Sequence, residues 1–493
     1  MLSILLGHSY FLRLDPKQWQ RAKPYPPLAT LQVAARLRTL GHHVELFDAM
    51  LADGIEDYER QLHRLEPQLV LLYEDNYNFL TKMCLERMRG AACRMIELAR
   101  RAGVRVMVAG SDATDEPQAY LMAGADIVLA GEGVAALEVL LQRIEAHPGM
   151  NGRELAEGVV GVAAGEATSE RPARMRIPPA RGELPSPAWD LIDVERYREV
   201  WRRAHGRFSL NMAASRGCSF RCAWCAKPIW GNQYLQRPAA EVAAEMSRIK
   251  RDLAPDHIWF ADDIFGFRVD WVSEFARSLV ASGGSIPFTI QTRADLISER
   301  MAAALSEAGC QEAWLGAESG SQRVLDAMNK GIRVAEIHTA RARLGAVGIR
   351  VGFFIQLGYL GEELADILAT RELIETARPD DVGVSVSYPL PGTKFHDLVS
   401  AQLGAKTHWQ ASGDLAMMFQ GTYTSPFYRE VRDLLHEEVR ISGPHAASSG
   451  GIIDNARRSL QRRWDRLLAR HETFLNLTPA TVATAGSPAA GFP

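Results

Sequence analysis

The 493-residue sequence has little of several features that would point to whole classes of protein. Cysteine is scarce, at six residues, so a disulfide-stabilised secreted scaffold is excluded. Basic and acidic side chains nearly balance, 56 against 59, which gives no electrostatic case for binding nucleic acid. No apolar run is long enough to span a bilayer, and the N-terminal stretch MLSILLGHSY has no basic leader. We therefore expect a cytoplasmic, enzyme-sized chain with no membrane span and no nucleic-acid partner.

Short apolar strands alternate with helical patterns over the first 150 residues. Leu2–Leu6 ends at a glycine, and a helical pattern over Leu28–Leu40 follows it. Strands this short and apolar, separated by helices, are typical of parallel β-α-β units with both sheet faces covered. The sequence therefore predicts an α/β, doubly wound domain over residues 1–150. Its other predicted strands are His43–Phe47, Leu69–Tyr73, Val104–Ala109 and Ile127–Ala130.

A stretch rich in proline, glycine and charge follows, and we expect residues 151–204 to form a linker. A second alternating series predicts a partial (β/α)6 barrel over residues 205–400, where functional groups gather at the C-terminal ends of the strands. Beyond it we expect a helical C-terminal region over 401–477 and a disordered tail over 478–493, because the tail is low in complexity. The predicted barrel strands are Phe208–Ala214, His257–Phe260, Phe288–Thr292, Ala313–Gly316, Arg350–Ile355 and Asp381–Ser387.

Three of the cysteines, Cys218, Cys222 and Cys225, form a C-x-x-x-C-x-x-C motif just after the first barrel strand. An odd local number of thiols argues against disulfides. A zinc site would need a fourth soft ligand, and none follows at finger-like spacing. Three closely spaced thiolates suit an iron–sulfur cluster, in which cysteine sulfur is the standard ligand. Three ligands for a four-iron cluster leave one iron open to a small molecule; a structural metal site is the alternative.

A cysteine triplet at this place in a partial β/α barrel resembles the motif of the radical S-adenosylmethionine (SAM) enzymes. The resemblance implies a [4Fe-4S] cluster on the three cysteines, SAM bound to its open iron, and an external one-electron reductant such as flavodoxin or ferredoxin. Electron transfer then cleaves SAM to a 5′-deoxyadenosyl radical. Later strand ends extend the resemblance over residues 205–400 through FADDIFGF, LGAESGS, GFFIQLGYLGEE and YPLPGTKF.

The same resemblance assigns cofactor-binding roles at these strand ends. Trp224 matches the position that contacts adenine, and Asp262 and Asp263 lie where the SAM amino group is bound. Each position has a structural alternative: the acidic residues could cap the following helices, glycine could serve a turn, and arginine could form a solvated ion pair. The remaining candidates are Gln291, Arg293, Gly316, Glu318 and Ser319.

The first 150 residues resemble the cobalamin-binding domain that precedes the barrel in one class of radical SAM enzymes. The resemblance lies in PPLATLQVAARLRTLGHHVELFDA and AGSDATDEPQAYLMAGADIVLAGEG, with LPSPAWDL in the linker. A planar corrinoid would lie across the C-terminal edge of the sheet, near Gly7–Tyr10, Glu74–Asn78, Gly110–Thr114 and Gly131–Gly133. The cobalt-ligating motif D-x-H-x-x-G is absent, which implies a lower cobalt face without a protein histidine, or His8 as ligand. A domain that binds no cofactor is the alternative.

Together these resemblances imply a cobalamin-dependent radical SAM methyltransferase that methylates an unactivated carbon of a small-molecule metabolite. The stretch MMFQGTYTSPFYREVRDLLHEEV resembles the subgroup that contains the anaerobic magnesium-protoporphyrin ester cyclase. A non-methylating cyclisation, oxidation or rearrangement is therefore an alternative, and a non-catalytic iron–sulfur or cobalamin sensor is a third. The substrate is not identified, because the barrel interior and the C-terminal region set the shape of its pocket.

Overall fold

The computed structural model describes residues 1–78, 80–83, 85–165, 185–225, 233–403, 415–442 and 450–476. Cys84 and the predicted disordered tail, 478–493, lie outside the described residues. In the part that is described, no helix combines the length and apolar character needed to cross a bilayer.

The N-terminal half of the fold is a six-stranded sheet of β1 (Ser3–Gly7), β2 (His43–Phe47), β3 (Leu69–Tyr73), β4 (Arg105–Ala109), β5 (Ile127–Leu129) and β6 (Val162–Ala164). The strand order is β2-β1-β3-β4-β5-β6. The first five strands run parallel, and β6 joins β5 antiparallel. Every residue of β3 is buried, because a parallel sheet is covered on both faces. The predicted doubly wound arrangement is confirmed.

Nine helices connect or follow these strands in the described residues. They are α1 (Pro16–Arg21), α2 (Leu28–Thr39), α3 (Ile55–Leu65), α4 (Leu80–Met83), α5 (Leu85–Arg101), α6 (Ser111–Asp115), α7 (Pro117–Met122), α8 (Val134–Ala146) and α9 (Gly152–Ala156).

The structure differs from the predicted linker at both of its ends. Strand β6 and helix α9 belong to the first sheet and its cover, and helix α10 (Val194–His205) precedes the second sheet. The side chain of Asp193 caps α10 by accepting a hydrogen bond from the backbone of Glu195, and Tyr197 and Trp201 bury its apolar side. Strand β6 is only three residues long, which is too short to show an alternating pattern in the sequence.

The second sheet is formed by β7 (Ser209–Met212), β10 (His257–Phe260), β11 (Phe288–Thr292), β12 (Cys310–Glu318), β13 (Arg350–Leu357) and β14 (Asp381–Val386). All its pairs are parallel, in the order β14-β13-β12-β11-β10-β7, so β7 and β14 are the two edges. This is an open six-stranded arrangement, as the sequence predicts. A hairpin that the sequence does not predict, β8 (Ser215–Gly217) with β9 (Tyr234–Gln236), projects after β7.

The helices of the second half are α11 (Ala239–Asp252), α12 (Val269–Ser282), α13 (Glu299–Ala308), α14 (Gln322–Ala327), α15 (Val334–Ala346), α16 (Leu364–Ala377), α17 (Lys394–Leu403), α18 (Ser425–Ser442) and α19 (Gly450–Ala469). The last two confirm the helical periodicity past residue 401. Helix α18 packs on β14 and α16.

Side chains alternate between the two faces of the second sheet, as they must along extended strands. One face is buried and apolar, with residues such as Leu210, Ile258, Ile290, Leu315 and Phe353 in the core. The other face is polar, aromatic or glycine. We call it the inner face; its residues include Ser209, Asn211, His257, Thr289, Gln291, Trp314, Gly352, Phe354, Gln356, Gly383 and Ser385, by strand register.

The two halves of the chain are joined through a short segment that precedes α2. Trp201 donates its indole N–H to the carbonyl of Pro24 at 2.6 Å, and Asn211 donates to the carbonyl of Pro26 at 2.9 Å. The Tyr25 hydroxyl lies 3.1 Å from that of Ser209. The first half therefore contacts the inner face at the edge strand β7.

Candidate functional site

The cysteine motif begins where strand β8 ends. Cys218 follows that strand and is buried, while Cys222 and Cys225 are partly exposed. Backbone hydrogen bonds fix the loop between them: Ala223 donates to Met328 at 2.8 Å and accepts from Phe395 at 2.9 Å. The loop is therefore held from both sides by chain segments more than 100 residues away in sequence.

The five described cysteines form no disulfide. Cys310 donates to the carbonyl of Glu312 at 3.5 Å, and burial raises its pKa, so it has the character of a core residue. Among the described residues, no three His, Cys, Asp or Glu side chains converge on a point that would hold a single metal ion. Cysteines of an iron–sulfur cluster bind different irons, and ligation of such a cluster by the three motif cysteines stays a prediction.

Arg293 reaches the cysteine loop from the end of β11. Its guanidinium stacks 3.7 Å from the ring centre of Phe220 and lies 3.9 Å from the sulfur of Cys222. It also pairs with Asp295 at 2.9 Å and donates to the carbonyl of Lys330 at 2.9 Å. Arg293 is 3% exposed, so the solvated ion pair considered above is wrong; the residue ties the loop to the strand ends.

Asp262 and Asp263 follow β10, and neither caps the next helix, because α12 begins after Arg268 without a side-chain cap. Asp262 accepts hydrogen bonds from the Ala214 backbone at 3.0 Å and the Ser215 hydroxyl at 2.5 Å. Burial raises the pKa of Asp262 to about 7. Its carboxyl group thus anchors the turn that leads into β8, and Asp263 lies half-buried beside it. Contact of either side chain with SAM stays a prediction.

A buried ion pair stands at the end of β12. Lys330 and Glu318 meet at 2.7 Å, with side chains only 7% and 6% exposed. A β-carbon at Gly316 would lie 2.7 Å from the Lys330 nitrogen and 2.8 Å from the Glu318 oxygen, so a larger residue there would displace the ends of both side chains. Glu318 has a positive φ of 61° next to a bulge in the strand. It does not cap α14, whose N-cap is Ser321.

Lys330 is a candidate residue that the sequence analysis missed. It lies in a loop after α14, where no periodicity marks it, and its position depends on the strand bulge. By contrast, Ser319 is fully buried and is used locally: its hydroxyl lies 3.1 Å from that of Thr370 and accepts from the Ser321 backbone.

The two other predicted positions are half-buried. Gln291 accepts the Phe265 N–H with its backbone carbonyl, and its side chain lies on the inner face beside Trp314. Trp224 has a buried indole N–H without a hydrogen-bond partner. An orphaned donor next to the cysteines is an observation that favours a ligand there, because buried donors are almost always satisfied.

The C-terminal edge of the first sheet brings together the four loops predicted there. The backbone of Ser9 donates to the Glu74 carboxylate at 2.9 Å, and the backbone of Gly131 donates to the Thr114 hydroxyl at 2.8 Å. In the loop after β3, both polar side-chain atoms of Asn76 are buried without partners. This edge therefore keeps unsatisfied polar groups, which fits a bound ligand.

His8 is 1% exposed and is already engaged. Its Nε2 lies 3.1 Å from Asp48 and 3.2 Å from the backbone N–H of Ala49. Since the same nitrogen faces both groups, the ring is held inside the first domain. A lower cobalt face without a protein histidine stays a prediction, as does His8 as its ligand.

A buried ion pair links this edge to the cysteine motif. Arg216, on β8, bonds to Glu132 in the loop after β5, and their side chains are 10% and 6% exposed. Tyr73 supports the same loop by donating to the Glu132 carbonyl at 2.7 Å. The charges of Arg216, Glu132 and Asp262 all act on Tyr77, whose pKa burial raises well above its usual value. We call Arg216 and Glu132 the interdomain ion pair.

A buried carboxyl group closes the turn after β13. Gly358 has a φ of +72° and donates its N–H to Glu362 at 2.6 Å. A β-carbon at Gly358 would lie 2.9 Å from the Met417 side chain, so the glycine leaves room for the C-terminal region. Burial raises the pKa of Glu362 to about 8.

We expect Glu362 to make the protein less stable as the pH rises. The unfolded chain ionises this group near pH 4.5, whereas the folded protein keeps it protonated up to about pH 8. Its contribution to stability is complete below pH 4.5 and is lost as the pH rises through 8. Between pH 5 and pH 8 the wild type should lose on the order of 1–4 kcal/mol through this group, and Glu362→Gln should not.

Urea denaturation of both proteins at pH 5 and pH 8 measures this difference. Glu372→Gln, on the exposed side of α16, is the matched control and should follow the wild type. Equal pH dependence in the wild type and Glu362→Gln would show that Glu362 is ionised in the folded protein at neutral pH.

Comparison with protein families gives a match over residues 212–374 to the radical SAM superfamily. The matched region contains all three motif cysteines and strands β10 to β13. Two curated relatives match more of the chain. An uncharacterized methyltransferase of Pyrococcus horikoshii is 25% identical over 76% of this chain and 79% of its own length. Hopanoid C-3 methylase of Methylococcus capsulatus is 23% identical over 82% of this chain and 73% of its own.

Two solved structures share the fold across both sheets. The radical S-adenosylmethionine methyltransferase TsrM from Kitasatospora setae, solved with cobalamin and a [4Fe-4S] cluster, superposes with a TM-score of 0.64 at 20% identity, over 84% of this chain and 82% of its own. OxsB, a cobalamin-dependent S-adenosylmethionine radical enzyme, gives 0.60 at 17% identity, over 81% of this chain and 55% of its own. Residues 212–374 therefore match the radical SAM superfamily, and the chain shares its fold over most of its length with solved cobalamin-dependent radical SAM enzymes, as the motifs predict.

Proposed function

We propose that this protein is a cobalamin-dependent radical SAM methyltransferase acting on an unactivated carbon of a small molecule. The observation that carries the proposal is the interdomain ion pair. It joins β8, which leads directly into Cys218, to the loop after β5 at the edge where the first domain would bind a corrinoid. Radical methylation requires a cluster site and a corrinoid site that lie close together, since the substrate must meet both cofactors.

In this proposal Cys218, Cys222 and Cys225 ligate three irons of a [4Fe-4S] cluster, and the fourth iron is open to SAM. The free indole N–H of Trp224 and the buried cation of Lys330 are the polar groups that this chain offers to SAM. Asn76 is the unsatisfied group that it offers to the corrinoid. When bound, the cluster supplies the electron that cleaves SAM, and the corrinoid supplies the transferable methyl group.

The chain's own residues position these groups and exclude water. Arg293 holds the cysteine loop against β11, and Asp262 holds the turn before β8. Because Arg293 lies 3.9 Å from the Cys222 sulfur, it also places a positive charge beside one proposed cluster ligand. An electron donor of the flavodoxin or ferredoxin class completes the proposal.

Anaerobic incubation of reconstituted protein with methyl-labelled SAM, hydroxocobalamin and a reductant tests the proposal. We expect both 5′-deoxyadenosine and S-adenosylhomocysteine, and label in methylcobalamin. Formation of 5′-deoxyadenosine without S-adenosylhomocysteine would indicate a non-methylating radical reaction. Cofactor binding without SAM turnover would indicate a sensor.

A further inference from the structure

The inner face of the second sheet carries two aromatic rings that remain accessible. Trp314 on β12 and Phe354 on β13 stack with their ring centres 4.8 Å apart and an interplanar angle of 27°. Both are half-buried, whereas the residues of the opposite face on these strands are in the core. We call these two rings the aromatic platform.

A glycine on each neighbouring strand leaves room for the two stacked rings. A β-carbon at Gly352 would lie 2.6 Å from the Trp314 ring, and one at Gly383 would lie 3.2 Å from Phe354. Any other residue at Gly352 would push the indole off the sheet. The local sequence therefore keeps space for the ring pair that a residue with a side chain would fill.

Below the platform the inner face is closed by a chain of hydrogen bonds. His257 lies 2.9 Å from both the Ser209 and the Thr289 hydroxyls, and burial lowers its pKa to about 3. Trp314 donates its indole N–H to Glu312 at 3.2 Å. Because this N–H is already used, a ligand on the platform meets only the π-face of the indole.

Above the platform, toward the C-terminal ends of the strands, polar groups are left unsatisfied. Gln356 is two residues beyond Phe354 and thus on the same face; it is 4% exposed, and its side-chain oxygen has no hydrogen-bond partner. Ser387 is fully buried, and its hydroxyl also has no partner. Buried acceptors without partners are rare in proteins, so these groups favour a ligand that donates a hydrogen bond.

We infer that the inner face binds a planar, aromatic substrate that carries a hydrogen-bond donor, stacked on Trp314 and Phe354 with the donor directed to Gln356. The inference rests on the proposed function, since it places the methyl acceptor between the two cofactor sites. Ring stacking selects an aromatic over a saturated ring, and an unsatisfied amide oxygen selects an N–H or O–H group over an ether.

Three matched probes test this on protein loaded with its cluster, cobalamin and SAM. They are 2-naphthol, 2-methoxynaphthalene, which lacks the donor, and decahydro-2-naphthol, which lacks the aromatic rings. Ligand-observed NMR titration should show 2-naphthol binding about 3- to 10-fold more tightly than the saturated alcohol and about 5-fold more tightly than the ether.

Variants locate the binding on the platform. Trp314→Leu and Phe354→Leu should each weaken 2-naphthol about 3- to 10-fold, and Gln356→Leu should remove the difference between 2-naphthol and its methyl ether. Trp19→Leu, at an exposed position on α1, is the control and should bind as the wild type does. If a platform variant does not fold, the ranking of the wild type's affinities for the three probes still tests the inference.

Equal affinities for the aromatic and saturated probes would overturn the inference, as would tighter binding of 2-naphthol to protein prepared without SAM, which would place adenine on the platform. Methylcobalamin formation from SAM, measured in the same samples, keeps this outcome separate from the proposed function. Selective binding without methylcobalamin contradicts only the methyltransferase proposal. Methylcobalamin formation without selective binding contradicts only the substrate class.

Discussion

Replacing Cys218 with alanine is expected to remove the iron–sulfur absorbance and reductive SAM cleavage together. Two cysteines would remain for four irons, so no stable cluster with a single open iron could assemble. We expect the rate of 5′-deoxyadenosine formation to fall by at least about 10³-fold, or roughly 4 kcal/mol of barrier. The measurement is product formation by mass spectrometry beside the visible spectrum of anaerobically reconstituted protein.

Cys93→Ala is the matched control. Cys93 is a free, partly buried thiol on α5, and its sulfur makes one weak contact, 3.9 Å from the Ala119 carbonyl. This variant should keep the cluster and full SAM cleavage. If Cys218→Ala lost the cluster absorbance but still cleaved SAM reductively, the assignment of the motif would fail.

Breaking the interdomain ion pair should have the largest effect on stability. Arg216→Met leaves the Glu132 carboxylate as an uncompensated charge, since both side chains are at most 10% exposed. This change should therefore cost about 3–5 kcal/mol, and Glu132→Leu removes the same ion pair from the other side. The double variant should recover most of that loss, because an apolar pair can replace a buried ion pair of similar volume.

Urea denaturation of the four proteins gives the coupling energy as a double-mutant cycle. Arg38→Met serves as the control, because the pair of Arg38 with Asp190 is exposed, at 36% and 68%, and should contribute less than about 1 kcal/mol. Single variants that match the control would mean that water reaches the interdomain pair, and that the two sheet edges are not fixed to each other through it.

Much of the scaffold follows from local patterns in the sequence. Strands β3, β10 and β11 have the predicted bounds, because short apolar runs buried on a covered face leave little choice of structure. The cysteine motif is equally local, since its spacing is a property of one loop. Strand-end residues such as Arg293 and Glu318 are likewise placed by the rule that function gathers at C-terminal strand ends.

What these side chains touch could not be predicted, because their partners are distant in sequence. Glu132 and Arg216 are 84 positions apart, and no sequence motif at either residue indicates the other as its partner. Glu318 meets Lys330 only because β12 bulges at its end. Asp262, predicted from the resemblance to approach SAM, has both carboxylate oxygens in hydrogen bonds to the turn before β8.

The aromatic platform could not be predicted from the sequence alone. Along β12 and β13 the inner-face residues alternate with aliphatic ones, as in Trp314 between Ala313 and Leu315. The signal is an accessible aromatic residue at alternate positions, with a glycine opposite it on the next strand. Recognising this signal requires the register between the two strands. That register comes only from the folded sheet.

The contact between Tyr25 and Ser209 has a consequence for how the chain matures. The two residues are 184 positions apart in the sequence. At about 5–20 residues per second, a ribosome therefore synthesises Ser209 roughly 10–40 s after Tyr25. During that interval the segment from Pro24 to Pro26 has no strand to bind. The N-terminal domain therefore gains this contact only once the edge strand of the next domain has been synthesised.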